Sequence, residues 1–189
     1  VYASYTFGPP DALAKIILLD TRYHREQPGP DSDMLGAKQW AWLESELEDN
    51  GASLNLIVSS VQVVASEHRH EKWANFPRSR ARLLGLISRF DVLGAVLVSG
   101  DRHIGEISVE REGTPYPLYD ITASGLTHSW TNFPGEPNSR LVSRVVSERH
   151  FGGMVITWQD DTVQVELELI GVNGVAAVKQ ALVFDRIRH

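Results

Sequence analysis

The chain has no cysteine, and that absence removes disulfides, thiolate zinc sites and cysteine nucleophiles together. A metal ion would have to be held by histidine, carboxylate, amide or backbone oxygen. Such donors suit harder ions such as calcium, magnesium, manganese or iron. No apolar run approaches the roughly 18 residues that a membrane-spanning helix needs. Basic charge is in deficit as well: a net charge of −6 argues against nonspecific nucleic-acid binding, which needs a basic face. A Gly-x-Ser-x-Gly elbow, a Walker loop and a dinucleotide fingerprint are all missing, which withdraws support from serine hydrolases, P-loop NTPases and Rossmann dehydrogenases.

What is present is the composition of a globular protein. With 42% hydrophobic and 22% charged residues over 189 positions, the chain can bury one core of ordinary size. No repeat, low-complexity segment or linker divides it, so one domain over 1–189 is expected. The opening VYASYTFGPP reads as a loop entering a strand. Lys15–Asp20, Leu54–Ser60 and Gly94–Ser99 are short apolar runs, which predict buried strands. Between them, Trp40, Leu43 and Leu47 mark a helix over Ala37–Asp49 with Gly51 to end it. Pro77 opens a second helix carrying Leu83, Ile87 and Phe90 on one stripe. Strand, helix, strand, helix, strand is the order of an α/β sheet with crossover helices. Shorter β-like stretches follow at Glu106–Arg111, Pro117–Thr122, Arg140–Ser147, Met154–Gln159, Thr162–Leu169 and Ala176–Phe184. The last three predict an antiparallel meander covering one edge of the core.

Chemistry concentrates just after the predicted strands, where open α/β sheets place their sites. Val98–Ile104 (VSGDRHI) is the most informative segment. On an extended backbone Asp101 and His103 would face one side and Arg102 the other. A carboxylate and an imidazole so placed can bind a metal, or one can bind while the other handles protons; an Asp–Arg ion pair beside a hydrogen-bonded histidine is the competing reading. Gln62, after the second strand, can offer an amide oxygen to a hard cation, or serve only in a turn. Arg22 and Arg25, after the first, suit a phosphate, or a solvated cluster with Asp20. His68 and His70 lie in a histidine-dense loop and suit a metal or a substrate rim. His128 and Trp130 suit a pocket wall, with simple packing as the alternative for the tryptophan.

Six segments in order carry a resemblance: ILLDTRYHR (Ile17–Arg25), MLGAKQWAWLESEL (Met34–Leu47), LIVSSVQV (Leu56–Val63), EKWANFP (Glu71–Pro77), VSGDRHIGEIS (Val98–Ser108) and YPLYDITASGLTH (Tyr116–His128). Together they resemble PhoD-like metallophosphatases, the alkaline phosphatase D type. The resemblance implies an α/β fold of the calcineurin-like αββα sandwich type and hydrolysis of phosphate mono- or diesters. It also implies divalent or trivalent metal ions (calcium, iron, manganese or magnesium) and a secreted or periplasmic location. It places Asp101 as a metal ligand, His103 as a ligand or as the acid that protonates the leaving oxygen, and Gln62 near the same centre. Arg22, Arg25, His68 and His128 then fall to substrate binding.

The family's early Gly-Asp-x-x-Tyr block and later Asp-His-Glu/Asp and Asn block are not in this sequence. The expectation is therefore a C-terminal half, inactive alone and completed by an upstream half in cis or in trans. A non-catalytic binding or structural module retaining half of the fold is the alternative.

Overall fold

The computed structural model describes residues 1–48 and 50–186. Asp49, the expected last residue of the first helix, lies outside the described residues. The opening residues are not a loop: Ala3–Phe7 forms a strand (β1) antiparallel to Ala14–Leu18 (β2), with Phe7 opposite Ala14. Gly8, at φ 99°, turns the chain between them, a conformation that glycine adopts without steric cost. The Gly-Pro-Pro run pointed to a loop, yet Tyr5, Thr6 and Phe7 are residues that favour a pleated surface.

The expected alternation then appears. Helix α1 (Ala37–Glu48) follows β2, and Leu54–Val58 (β3) pairs parallel to β2. Helix α2 (Pro77–Arg89) leads to Ala95–Ser99 (β4), parallel to β3. Gly105–Glu110 (β5) and Leu118–Ala123 (β6) complete a six-stranded sheet in the order β1-β2-β3-β4-β6-β5.

Strand alternation divides this sheet between two cores. Ile17, Ile57, Leu97 and Asp120 form one row across it. The three apolar members face α1 and α2, where Trp40, Leu43, Leu83 and Ile87 are buried with them. The next row, Ile16, Leu56 and Val96, belongs to the opposite face. There Leu54, Val96, Ile107 and Ile121 pack against a second, three-stranded sheet. That sheet is His150–Trp158 (β7), Thr162–Gly171 (β8) and Ala176–Asp185 (β9), an antiparallel meander. In β8, Val163, Val165, Leu167 and Leu169 are fully buried while Gln164 is exposed, the period-2 pattern of a strand with one wet face. A fully buried side chain of this kind contributes roughly 1.5–3 kcal/mol.

Two expectations need correction. The meander covers a face of the main sheet and not an edge, because its inward row is continuous with the apolar row of β3, β4, β5 and β6. Arg140–Ser147 is not a strand; its backbone pairs with β5 at isolated bridges, at Leu141 and Val146, and not along a continuous ladder. Among the described residues no helix is long and apolar enough to cross a membrane.

Candidate functional site

Because β2, β3 and β4 run parallel, their carboxyl ends open side by side on one rim, and the segments after them form the site. Helix α1 fixes the first. Buried Gln39 donates from Nε2 to the Asp20 carbonyl and accepts the Asp20 N–H at Oε1, both at 2.8 Å. The Asp20 carboxylate then accepts the N–H groups of Arg22 and Tyr23 at 3.0 and 2.9 Å. The following turn presents Arg22 and Arg25 outward. Arg22 donates to Asp101 at 2.9 Å and pairs with Glu71, whose other oxygen is 2.9 Å from Arg25. The rim is therefore a chain of alternating charge, Arg25–Glu71–Arg22–Asp101, in which Arg22, Glu71 and Asp101 stand well exposed.

The segment after β4 is not extended. Asp101 and His103 both adopt left-handed backbone, at φ 71° and 57°, a conformation that is uncommon for side chains and concentrates where structure over-determines it. Between them Arg102 is driven inward, 5% exposed. It pairs with Glu136 and reaches the Gln62 oxygen at 3.4 Å. The turn thus throws Asp101 and His103 out to solvent and buries the cation between them. The same-side placement expected from strand alternation is reached through a turn instead.

Gln62 is buried and turned inward. Its amide nitrogen donates to Glu106 at 2.7 Å and to Thr122 at 2.8 Å. Burial raises the Glu106 carboxyl above its usual range, partly opposed by the Gln62 hydrogen bond. Burial also raises Asp120, opposed by the Ser99 hydroxyl and the N–H groups of Val64 and Val63. His68 is buried too, 4% exposed. Desolvation, followed by the charges of Arg102, Lys72 and His70, lowers it to about 3, so the ring is neutral. Its neighbour His70 is half-buried, with its Nε2 out of solvent and 3.1 Å from Glu136, outside hydrogen-bond geometry.

His70, Asp101, Arg102 and His103 line a cleft of about 570 Å³ together with His128 and Trp130. The His103 and His128 rings meet edge to face at 4.9 Å. The structure thus brings Arg22, Asp101, His103 and His128 to one rim, with Arg25 joined through Glu71; Gln62 and His68 lie behind it. Among the described residues no three or more carboxylates and imidazoles converge closely enough to hold a metal ion, and Asp101 is paired with Arg22. These residues do not make a closed metal centre by themselves.

Sequence reading missed Glu136, Glu106, Asp120 and the clamp by Gln39. A signal existed for two of them: Glu106 and Asp120 are carboxylates inside the apolar strands β5 and β6, where a charge is retained only when it is partnered.

The PhoD-like phosphatase family model matches residues 1–120. No curated protein matches the chain. A solved structure of PhoD superposes with a TM-score of 0.70 at 17% identity, over 98% of this chain and 42% of that one. At that identity the likeness shows a shared mixed α/β fold. The chain spans less than half the length of that relative.

Proposed function

The chain belongs to the PhoD-like phosphatase family, and from that premise we propose that it carries one wall of the site of a phosphoester hydrolase. The observation that supports this most directly is the ionic chain on the rim, where Arg22 stands between Asp101 and Glu71. A guanidinium so exposed can exchange a carboxylate for the oxygens of a phosphoryl group, its geometry being suited to both. Arg25 would join it on the phosphate. His103, beside His128, would hold the proton for the leaving oxygen, a role that requires an imidazole within hydrogen-bond reach of that atom.

Metal dependence belongs to the proposal as a property of the whole protein. Calcium, iron, manganese or magnesium ions polarise a phosphoryl oxygen and lower the pKa of bound water. Asp101 is the donor this chain would contribute, with His103 a second donor only in the arrangement where it is not the acid, and Gln62 supports them from behind; the donors that close such a centre would come from an upstream half, in cis or in trans. With that half the three layers seen here would become part of a calcineurin-like sandwich. A secreted or periplasmic location goes with the same reading. That no donor set converges among the described residues supports one second reading, a binding module that keeps the fold without catalysis.

The experiment compares metal content and bis-(4-nitrophenyl) phosphate hydrolysis for the 189-residue chain and for a longer chain that restores the upstream half. The longer chain should bind metal and hydrolyse the ester, with activity falling by orders of magnitude in both Asp101→Ala and His103→Ala. A folded longer chain with neither metal nor activity would make the binding module the better reading.

A further inference from the structure

The phosphoryl chemistry proposed above uses the polar rim of the cleft and leaves its ring-bearing wall without a role. That wall is built by the loop after β6 and by His70. His103 meets His128 at 4.9 Å, His70 meets Trp130 at 5.7 Å, and Trp130 meets Phe133 at 5.1 Å, each pair close to perpendicular. No helix or strand holds these residues, yet the loop is fixed to the site. The Trp130 N–H donates to the His103 carbonyl at 2.8 Å, and the His103 N–H donates to the Ser124 hydroxyl at 2.8 Å. The Phe133 N–H in turn donates to the Trp130 carbonyl at 3.1 Å. Trp130 is therefore held in register with the residue proposed to protonate the leaving group.

Two further observations narrow the ligand. A cleft of about 570 Å³ is of a size that takes a small molecule. Arg102 lies in its lining and Arg22 reaches Asp101 at its edge. Guanidinium groups there suit an anion rather than a quaternary ammonium, the other ligand that ring clusters recognise. Aromatic rings pack best edge to face or offset, with centroids about 4.5–7 Å apart, and the wall's own rings already lie in that range.

We infer that the Trp130 and His128 wall is a subsite for the alcohol part of the phosphoester, selecting a flat ring such as an aryl or nucleoside group over an alkyl one. This rests on the phosphoester reading, and the test separates the two. Phenyl phosphate, cyclohexyl phosphate and inorganic phosphate are titrated by calorimetry into the 189-residue chain and its Trp130→Ala, Trp130→Phe and His128→Ala variants. Circular dichroism confirms that each is folded.

The expected result is phenyl phosphate bound about tenfold tighter than cyclohexyl phosphate. That ratio should collapse toward one in Trp130→Ala, shrink in His128→Ala and largely survive in Trp130→Phe. Equal affinity of the two esters in the parent chain, with phosphate still bound, would overturn the ring subsite alone, as would a preference untouched by both alanine variants. Failure of all three ligands to bind would show that this rim holds no phosphate by itself and would overturn the subsite with it, while the phosphoester reading stands or falls on the longer chain.

Discussion

Arg102 and Glu136 form an ion pair drawn almost entirely out of water, the two side chains being 3% and 13% exposed. The pair ties the turn after β4 to the loop that closes the far side of the cleft. It also accounts for the backbone on either side of Arg102, since anchoring that one side chain inward leaves Asp101 and His103 at positive φ and facing out. Breaking such a pair leaves a buried charge uncompensated, at a cost of about 3–5 kcal/mol. Arg102→Met should therefore destabilise the chain by that amount in urea denaturation, and Arg102→Met with Glu136→Leu should recover a good part of it. A single variant within about 1 kcal/mol of the parent would show that the pair is solvated and does not anchor the turn.

A second prediction concerns how the meander is locked to the main sheet. The His150 ring, 2% exposed, lies against Gly105 and Gly125. A Cβ added at Gly125 would sit 2.2 Å from the ring's Cε1, and one at Gly105 would sit 2.7 Å from Nε2. The ring has little room to retreat, because its Nδ1 is held 2.7 Å from the Glu148 carbonyl. Gly125→Ala should cost about 1–3 kcal/mol by overpacking, and His150→Ser should relieve much of that in the double variant. Thermal melts of the four proteins give the coupling; simple additivity would mean that the contact yields without strain.

How much of this was legible in the sequence depends on which force placed each part. The parallel strands and both helices follow from apolar period and from Pro77 at a helix start, and they were read correctly to within a residue or two. The position of Asp101 and His103 after β4 was equally plain, because strand ends are where such sheets carry chemistry. What the sequence did not show was anything set by long-range pairing. Arg102 turns inward because Glu136 lies 34 residues later in the chain, and no local pattern signals that. Tyr5 and Phe7 gain their strand from pairing with β2, and Arg140–Ser147 loses its own because its backbone pairs with β5 at two separated bridges and not along a ladder. Gln62 and His68 stand out in the sequence by a strand end and by a histidine-dense loop, and nothing local shows that both are buried, with Gln62 bonded to Glu106 and Thr122.

Acid stability should carry the signature of His68. Its ordinary value is 6.5, and the folded protein holds it near 3. The unfolded chain therefore binds the proton that the folded chain refuses, so this stability is present above about pH 6.5 and is lost as pH falls toward 3. The slope for one such group approaches about 1.4 kcal/mol per pH unit within that window. His68→Gln, which keeps an acceptor for the His70 N–H, should flatten the fall in melting temperature between pH 6.5 and 4.5. An unchanged slope would mean that the ring takes up its proton in the folded state.

Arg22 should behave in the opposite way to Arg102, and the contrast tests the division of the site into a wet rim and a buried frame. Arg22 and its partners Glu71 and Asp101 have side chains 37–43% exposed, and exposed pairs contribute only about 0–1 kcal/mol. Arg22→Gln should therefore leave the melting temperature nearly unchanged. If the guanidinium holds a phosphoryl oxygen, losing that charge-assisted bond should still weaken phosphate binding about tenfold or more, and the deficit should narrow as salt screens the parent chain. Arg102→Met should show the reverse, a large loss of stability. Phosphate affinity that is unchanged in Arg22→Gln would leave Arg22 as a tether for Asp101 and remove it from substrate binding.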